Sequence, residues 1–529
     1  MIRPSGAAPG AEAGRRRGAV SRGRPPARPT WSDRVDRVVR RAGPGAVRDP
    51  LRRPPPSPAA VPPQRPDLGL RRSRTVPGRA GRGAGGVRGG AGGGADTGLP
   101  AVCRLSRHRA GRHTRGVRVV MMTAGSRGDV APYTGLGAGL VRGGHEVTLA
   151  AHAVFEPLVA GSGVRFHALP VDPRAELHSE RGRRLHDSRT GIGKMLRLAS
   201  MARAAADDMT GSLVEAARQG DVLLVGGALG PLGYALAEGL SLPSVGLHLQ
   251  PLHASREFPA PVLGVRSMGP VGNRLSGLLL TAVADRMLTG SVRDLERRHG
   301  LRVPDDAVAR RTREHRRWPV LHGFSELVVP RPRDWRAGLD VAGYWWPHET
   351  GRLPGELEAF LDAGPAPVFV GLGSATVPDP ERVSRRIVDA LRAAGLRGVV
   401  QQGWAGLAAE GDDMLTIGEV PHALLFPRVA AVVHHAGAGT TAAVLRAGVP
   451  TVPVPVQFDA FFWASRLTAL GVAPGAVPLR RLTSDALARA LRRAVVDDSH
   501  RARARALAAR LAEEDGVAPV LTALDRLAR

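Results

Sequence analysis

The sequence predicts an α/β protein: two doubly wound, Rossmann-like domains facing across a cleft, preceded by a disordered N-terminal tail. Three observations predict it. From Val117 onward, short continuously apolar runs alternate with helix-length segments, and strands that are apolar on both faces belong to parallel sheets covered by helices. The alternation occurs twice, on either side of the irregular stretch "PRPRDWRAGLDVAGYWWPHE" near residues 330–350. Residues 1–115, by contrast, carry runs such as "RRPPPSPAAVPPQRP" and "GRAGRGAGGVRGGAGGG", too poor in large apolar side chains to offset their ordering entropy. The expected divisions are therefore 1–115 (tail), 116–335 (first domain) and 336–529 (second domain with terminal helices).

The elements follow in order. "VRVVMMTA" (117–124) opens the first domain as a strand, and a helical stretch runs on to about Arg142. "HEVTLAA" (145–151), "DVLLVGG" (221–227) and "PSVGLHL" (243–249) continue the sheet. In the second domain the strands are "PVFVGLG" (367–373), "GVVQQG" (398–403), "MLTIGEV" (414–420), "AAVVHH" (430–435) and "TVPVPV" (451–456). Nothing upstream of Val117 is needed to complete the first strand–loop–helix unit, so the tail is expected to be dispensable, with the native translation start near Val117.

Composition narrows the function. The formal net charge is +28, but 26 arginines against six acidic residues put +20 of it in residues 1–115 and leave +8 for the other 414. Lys194 is the only lysine. That skew, with abundant Ala, Gly and Pro, reflects biased coding better than selection for phosphate contacts, and no nucleic-acid partner is expected. Cys103 is the single cysteine, so neither an internal disulfide nor a cysteine metal site can form, which suits a reducing cytoplasm. No apolar run approaches the ~18–20 residues that span a bilayer. The chain opens without the apolar core of a secretory signal, and a cytoplasmic protein is expected.

One junction points to chemistry. In "VVHHAGAGTTAAVLRAGVPTVPV" (432–454) a strand ends at His434–His435 and a helix begins near Gly439–Thr440. A helix N-terminus offers unpaired N–H groups and about half a positive charge. Glycines admit a phosphate close to the backbone, hydroxyls add donors, and Gly448 followed by Pro450 ends the helix. The stretch suits a diphosphate. It lacks the lysine and spacing of a Walker loop and the position of a dinucleotide fingerprint. The alternative is a tight turn with Thr440 or Thr441 capping the helix.

Around this junction, "PHALLFPRVAAVVHHAGAGTTAAVLRAGVPTVPVPVQFDAFFWASRL" resembles the nucleotide-sugar-binding block of the glycosyltransferases that modify sterols, glycopeptides and macrolides. "VMMTAGSRGDVAPYTGLGAGLVRGGHEVTLAAH" resembles the opening segment of the same family, and "GLHLQPLHASREFPAPVL" and "PVFVGLGSA" fit its intervening pattern. The resemblance runs from Val117 nearly to the C-terminus. It implies the GT-B fold, with the acceptor bound mainly by the first domain and the nucleotide sugar by the second. By position, it implies that His435 contacts the donor diphosphate within a cradle of Gly437, Gly439, Thr440 and Thr441. Ser374 is then a further phosphate donor, Asp459 a partner of the sugar hydroxyls, and Asp129 the general base. His434 is expected to be a strand-end histidine paired with backbone. Asp129 also reads as a helix N-cap, where its pKa is expected to fall.

Three departures stand out: Ala423 and Leu424 in "PHALLFP" replace an acidic residue and a tryptophan, Ala436 replaces a glycine, and Ala460 replaces the glutamine that partners the aspartate on the sugar. The chain contains no D-x-D, so charge on the departing diphosphate is expected to be met by helix dipole, imidazole and hydroxyls, with no metal and no cofactor beyond the nucleoside-diphosphate sugar itself. The expected reaction is inverting, metal-independent transfer of a hexose to a hydroxyl of a lipophilic small molecule. The rivals are a non-catalytic nucleotide-sugar-binding homologue and a sugar-nucleotide epimerase of the same fold. The segment 172–215 is expected to help line the acceptor pocket, with at most peripheral membrane contact by the amphipathic part near 192–205.

Overall fold

The computed structural model describes residues 116–172, 191–303, 313–314 and 316–528. The expectations for the tail 1–115 and for residues 173–190 of the acceptor segment fall outside them.

The first domain runs β1 (Arg118–Met122), α1 (Arg127–Arg142), β2 (Glu146–His152), β3 (Arg165–Leu169), α2 (Gly191–Arg218), β4 (Val222–Gly226), α3 (Gly230–Gly239), β5 (Ser244–His248), α4 (Gly269–His299), β6 (Val320–His322) and β7 (Leu339–Val341). Its seven strands pair in the order β3-β2-β1-β4-β5-β6-β7, all parallel. The second domain runs α5 (Gly355–Asp362), β8 (Val368–Gly371), α6 (Pro380–Ala393), β9 (Gly398–Gln401), β10 (Met414–Ile417), α7 (His422–Leu425), β11 (Ala431–His434), α8 (Ala438–Ala447), β12 (Thr451–Pro453), α9 (Ala460–Ala469), α10 (Ser484–Val496), α11 (Asp498–Leu511) and α12 (Ala518–Ala528). Its five parallel strands take the order β10-β9-β8-β11-β12.

The apolar runs become strands because both faces of each sheet are buried. In β1, Val120 and Met122 enter one core cluster while Val119 and Met121 enter another. In β8, Val368 and Val370 split from Phe369 in the same way. Alternating side chains thus serve two helical layers.

The division of the chain differs from the expected one in two places. β7 lies past residue 335 and belongs to the first sheet. The last helix, α12, leaves the second domain altogether: Val520 and Leu524 join the cluster built by Val119, Leu136 and Leu140. The crossover is pinned where the indole N–H of Trp345 donates to the Gly516 carbonyl at 2.9 Å. A side chain at Gly516 would place its Cβ 2.4 Å from the Tyr344 carbonyl oxygen, so only glycine fits there.

Candidate active site

Two strand–helix junctions face each other. β1 leads through Gly125 and Ser126 into α1, and β11 leads through His435 and Gly437 into α8. Both lie beyond the carboxyl ends of their strands, where doubly wound sheets place ligands. The cleft between them has a volume of about 710 Å³. It is lined by Asp129 from the first junction, by Ser374, His435, Gly437, Gly439 and Thr440 from the second domain, and by Asp459. Thr441 is the exception among the expected site residues. Its side chain is fully buried away from the cleft, and its hydroxyl has no hydrogen-bond partner.

Asp129 is not the cap of its helix. Ser126 holds that position, and Asp129 is the third residue in, closing a capping box: its Oδ2 accepts from the Ser126 backbone N–H at 2.9 Å and from the Ser126 hydroxyl at 3.0 Å. The expected fall in its pKa is also reversed. Burial pushes the carboxyl above its ordinary value, and hydrogen bonds from Ser126 and Gln250 offset only part of that rise. Desolvation outweighs the helix terminus because the charge has lost its water. The turn that presents Asp129 requires Gly125 (φ +132°), where an added Cβ would sit 2.5 Å from Oδ2. The Gly125 N–H in turn donates to His152 Nε2 at 3.0 Å.

The opposite wall is built around one imidazole. Gly373 (φ +56°) and Gly437 approach the His435 ring so closely that their added Cβ atoms would lie 2.9 Å from Cε1 and 2.3 Å from Nε2, respectively. The glycines here make room for the histidine as well as for a ligand. Removal from bulk water lowers the His435 pKa to about 4, so the ring is neutral at pH 7. Behind it, His434 is wholly buried and accepts the Ala436 N–H on Nδ1 at 3.2 Å, the backbone pairing expected of it. Gly437 caps the start of α8, and Gly448 caps its end in the left-handed conformation, φ +66°.

Asp459 precedes α9, and its Oδ2 accepts the Trp463 indole N–H at 2.7 Å. Its pKa is pushed up to about 6, first by burial, with the carboxylate of Asp129 adding to the rise. At the mouth, Arg127 of the first domain pairs with Glu419 of the second at 2.8 Å. Sequence reasoning missed Gln250, His152 and this pair. Gln250 was findable, since it follows β5 at the carboxyl edge of the sheet.

The sequence reading assigned no metal ligands, yet the structure gathers His248, His253 and His322, one ring nitrogen of each within 4.8 Å of the others. They do not line the cleft.

Residues 119–227 match the family profile described as Glycosyltransferase family 28 N-terminal domain, and residues 399–526 match that of Erythromycin biosynthesis protein CIII-like, C-terminal domain. The chain is 36% identical over 406 residues to O-mycaminosyltylonolide 6-deoxyallosyltransferase of Streptomyces fradiae, covering 76% of this chain and 95% of that one. It is 32% identical over 421 residues to a Sterol 3-beta-glucosyltransferase of Arabidopsis thaliana, covering 77% of this chain and 65% of that one. Among solved structures, glycosyltransferase VinC in complex with dTDP aligns with a TM-score of 0.54 at 22% identity, over 78% of this chain and 99% of VinC. The calicheamicin glycosyltransferase CalG4 aligns with a TM-score of 0.55 at 18% identity, over 78% and 98%. Two parallel-sheet domains, a cleft between their strand ends and these matches in both halves lead to one conclusion: the chain belongs to the GT-B glycosyltransferases, the family that includes macrolide and sterol glycosyltransferases.

Proposed function

We propose that the protein moves a hexosyl group from a nucleoside-diphosphate sugar to a hydroxyl of a lipophilic small molecule, with inversion at the anomeric carbon and without a metal at the diphosphate. The observation that carries the reading is a buried, pKa-raised Asp129 on one wall of the cleft, facing a glycine-lined imidazole and a helix N-terminus on the other. Asp129 accepts the proton of the acceptor's O–H as the acceptor oxygen bonds to the anomeric carbon. The bond from that carbon to the diphosphate breaks, and the electron pair leaves with the phosphate. Backbone N–H groups at the start of α8, Thr440 and His435 meet the charge that develops. The transition state is oxocarbenium-like, as in glycoside chemistry generally.

A lipophilic acceptor suits the first-domain wall, where Pro132, Leu158, Leu249, Leu252 and Val262 line the cleft. A macrolide aglycone or a sterol has the matching surface, in keeping with the relatives named above. On the donor side, one Asp459 oxygen is already engaged by Trp463, Ala460 brings no polar group, and Phe458 stands 42% exposed beside them. That wall offers few partners for hydroxyls, which favours a deoxyhexose over glucose. Among the described residues the one grouping of three potential metal ligands is the histidine trio, away from the diphosphate cradle.

The test is a transfer assay pairing TDP-deoxyhexoses and UDP-glucose with a panel of macrolide and sterol aglycones, with the anomeric configuration of the product read by NMR. Inverted product, formed equally well with and without added Mg²⁺ or Mn²⁺, is expected. Retention, or dependence on added Mg²⁺ or Mn²⁺, rejects the mechanism. Interconversion of donor sugars without acceptor indicates an epimerase.

A further inference from the structure

We propose that His248, His253 and His322 form a binding site for a transition-metal dication of the zinc class, behind the acceptor wall of the cleft. β5 and β6 end in register, with His248 opposite His322, so parallel pairing sets two imidazoles side by side. His253, in the loop after β5, folds back onto them, its Nδ1 3.3 Å from His322 Nε2. Two ligands of a tetrahedral zinc at ~2.0–2.1 Å lie about 3.3 Å apart, so this edge already has the required length.

Two further features distinguish the trio from a packed aromatic cluster. His322 places Nδ1 2.9 Å from the Asp340 carbonyl, so it donates there and turns the Nε2 lone pair toward the other rings. Metal-bound histidines are oriented by this kind of outer hydrogen bond. His248 is 6% exposed, and neither of its ring nitrogens has a hydrogen-bond partner. A buried polar atom left so is costly, and a metal–nitrogen bond would satisfy it. Trp335 stacks on His322 at 4.4 Å and shields the site.

Ligand type sets the selectivity. Three neutral imidazoles suit Zn²⁺, Cu²⁺ or Ni²⁺, and the absence of a carboxylate ligand in the trio disfavours Mg²⁺ and Ca²⁺. The cations nearby are each paired: Arg313 with Asp285, Arg331 with Asp340, and Arg336 with Glu314. The fourth position is left to water. The segment between His248 and His253 carries Leu249 and Leu252 of the cleft wall and Gln250, the partner of Asp129. A bound metal would therefore brace that wall and position Gln250 while taking no part in glycosyl transfer.

The experiment uses the untagged full chain, stripped of metal with chelator and titrated with ZnCl₂ or CoCl₂. One zinc per chain with a submicromolar Kd, a melting temperature that rises with zinc concentration, and the intense visible absorption of four-coordinate Co²⁺ are expected. His253→Asn should weaken zinc binding by more than about 100-fold, beyond the range of outer-partner losses, and abolish the cobalt band. No stoichiometric zinc binding, a weak octahedral cobalt spectrum, or unchanged affinity in His253→Asn overturns the proposal. If His253→Asn fails to fold, the wild-type cobalt spectrum decides alone. Transfer activity does not enter these readouts, so the two proposals fail separately.

Discussion

At the scale of single residues, the site turns on which of two forces sets a charge. Asp129 sits in the first turn of α1, where a helix terminus favours the carboxylate, yet burial raises its pKa. A base held above the ordinary carboxylate range accepts a proton more readily. Asp129→Asn should therefore reduce turnover by about 10²–10⁴-fold, the range for a lost general base, while donor binding stays intact. The sign of the pH dependence follows: the base works only when ionised, so kcat/KM rises with pH through a pKa above 3.8, and that acid limb vanishes in the variant. Turnover within a factor of about three of wild type would reduce Asp129 to its capping role. A second residue is strained. Ala436 has φ +64° and is wholly buried, a conformation that costs an L-residue about 1–2 kcal/mol. Glycine regains much of that but adds freedom to the unfolded chain, worth about 0.4–1 kcal/mol. Ala436→Gly also gives up a buried methyl, about 0.8 kcal/mol, so the effects nearly cancel and stability in denaturant melts is expected to stay within about 1 kcal/mol of wild type. A larger gain would mean that the strain exceeds the ordinary left-handed penalty.

At the scale of elements, the β11–α8 junction is the most legible part of the chain, because a strand end built of imidazoles and glycines points to a site rather than to packing. Its apolar run, its imidazoles and the glycine that stops the helix appear in the structure at the positions read from sequence. The elements that escaped notice are those whose sequence lacks such a signal. β3, "RFHAL", is mostly exposed or half-buried, while β6 and β7 have three residues each, too few to show a period. The histidine trio was equally hidden, since His322 lies 69 residues beyond His253 and meets the other two only through the register of β5 and β6. The junction itself can be probed from two sides. His435→Ala should weaken binding of TDP or UDP by about 1.5–3 kcal/mol, the worth of a hydrogen bond to a charged group. Gly437→Ala should reproduce much of that loss while keeping the histidine in the sequence, because its Cβ would fall 2.3 Å from Nε2 and displace the ring. Calorimetry on both variants checks this, and full affinity in His435→Ala would take the imidazole out of the diphosphate site.

At the scale of the whole molecule, the two domains meet through more than the chain segment near residue 345. Phe258 of the first packs on Phe462 of the second with ring centroids 5.3 Å apart, and Arg127–Glu419 spans the cleft mouth. The ion pair is half exposed and contributes at most about 1 kcal/mol, so it orders the mouth more than it stabilises the fold. The stronger tie is α12, which returns from the second domain to cover the helical face of the first. Val520 and Leu524 are buried there to within 1%, and Leu521 comes close enough to Gly143 that a side chain at that position would meet its Cδ2 at 2.7 Å. Sequence alone assigned this helix to the second domain, because its apolar spacing fits any covering helix and carries no address. Fully burying two such side chains is worth about 1.5–3 kcal/mol each. Removing residues 518–528 is therefore expected to cost about 3–6 kcal/mol and to lower the melting temperature by many degrees, with the first domain losing protection in hydrogen exchange before the second. Equal loss in both domains would show that α12 acts on the molecule as one cooperative unit, and an unchanged melting temperature would mean that its apolar face contributes nothing to the first domain's core.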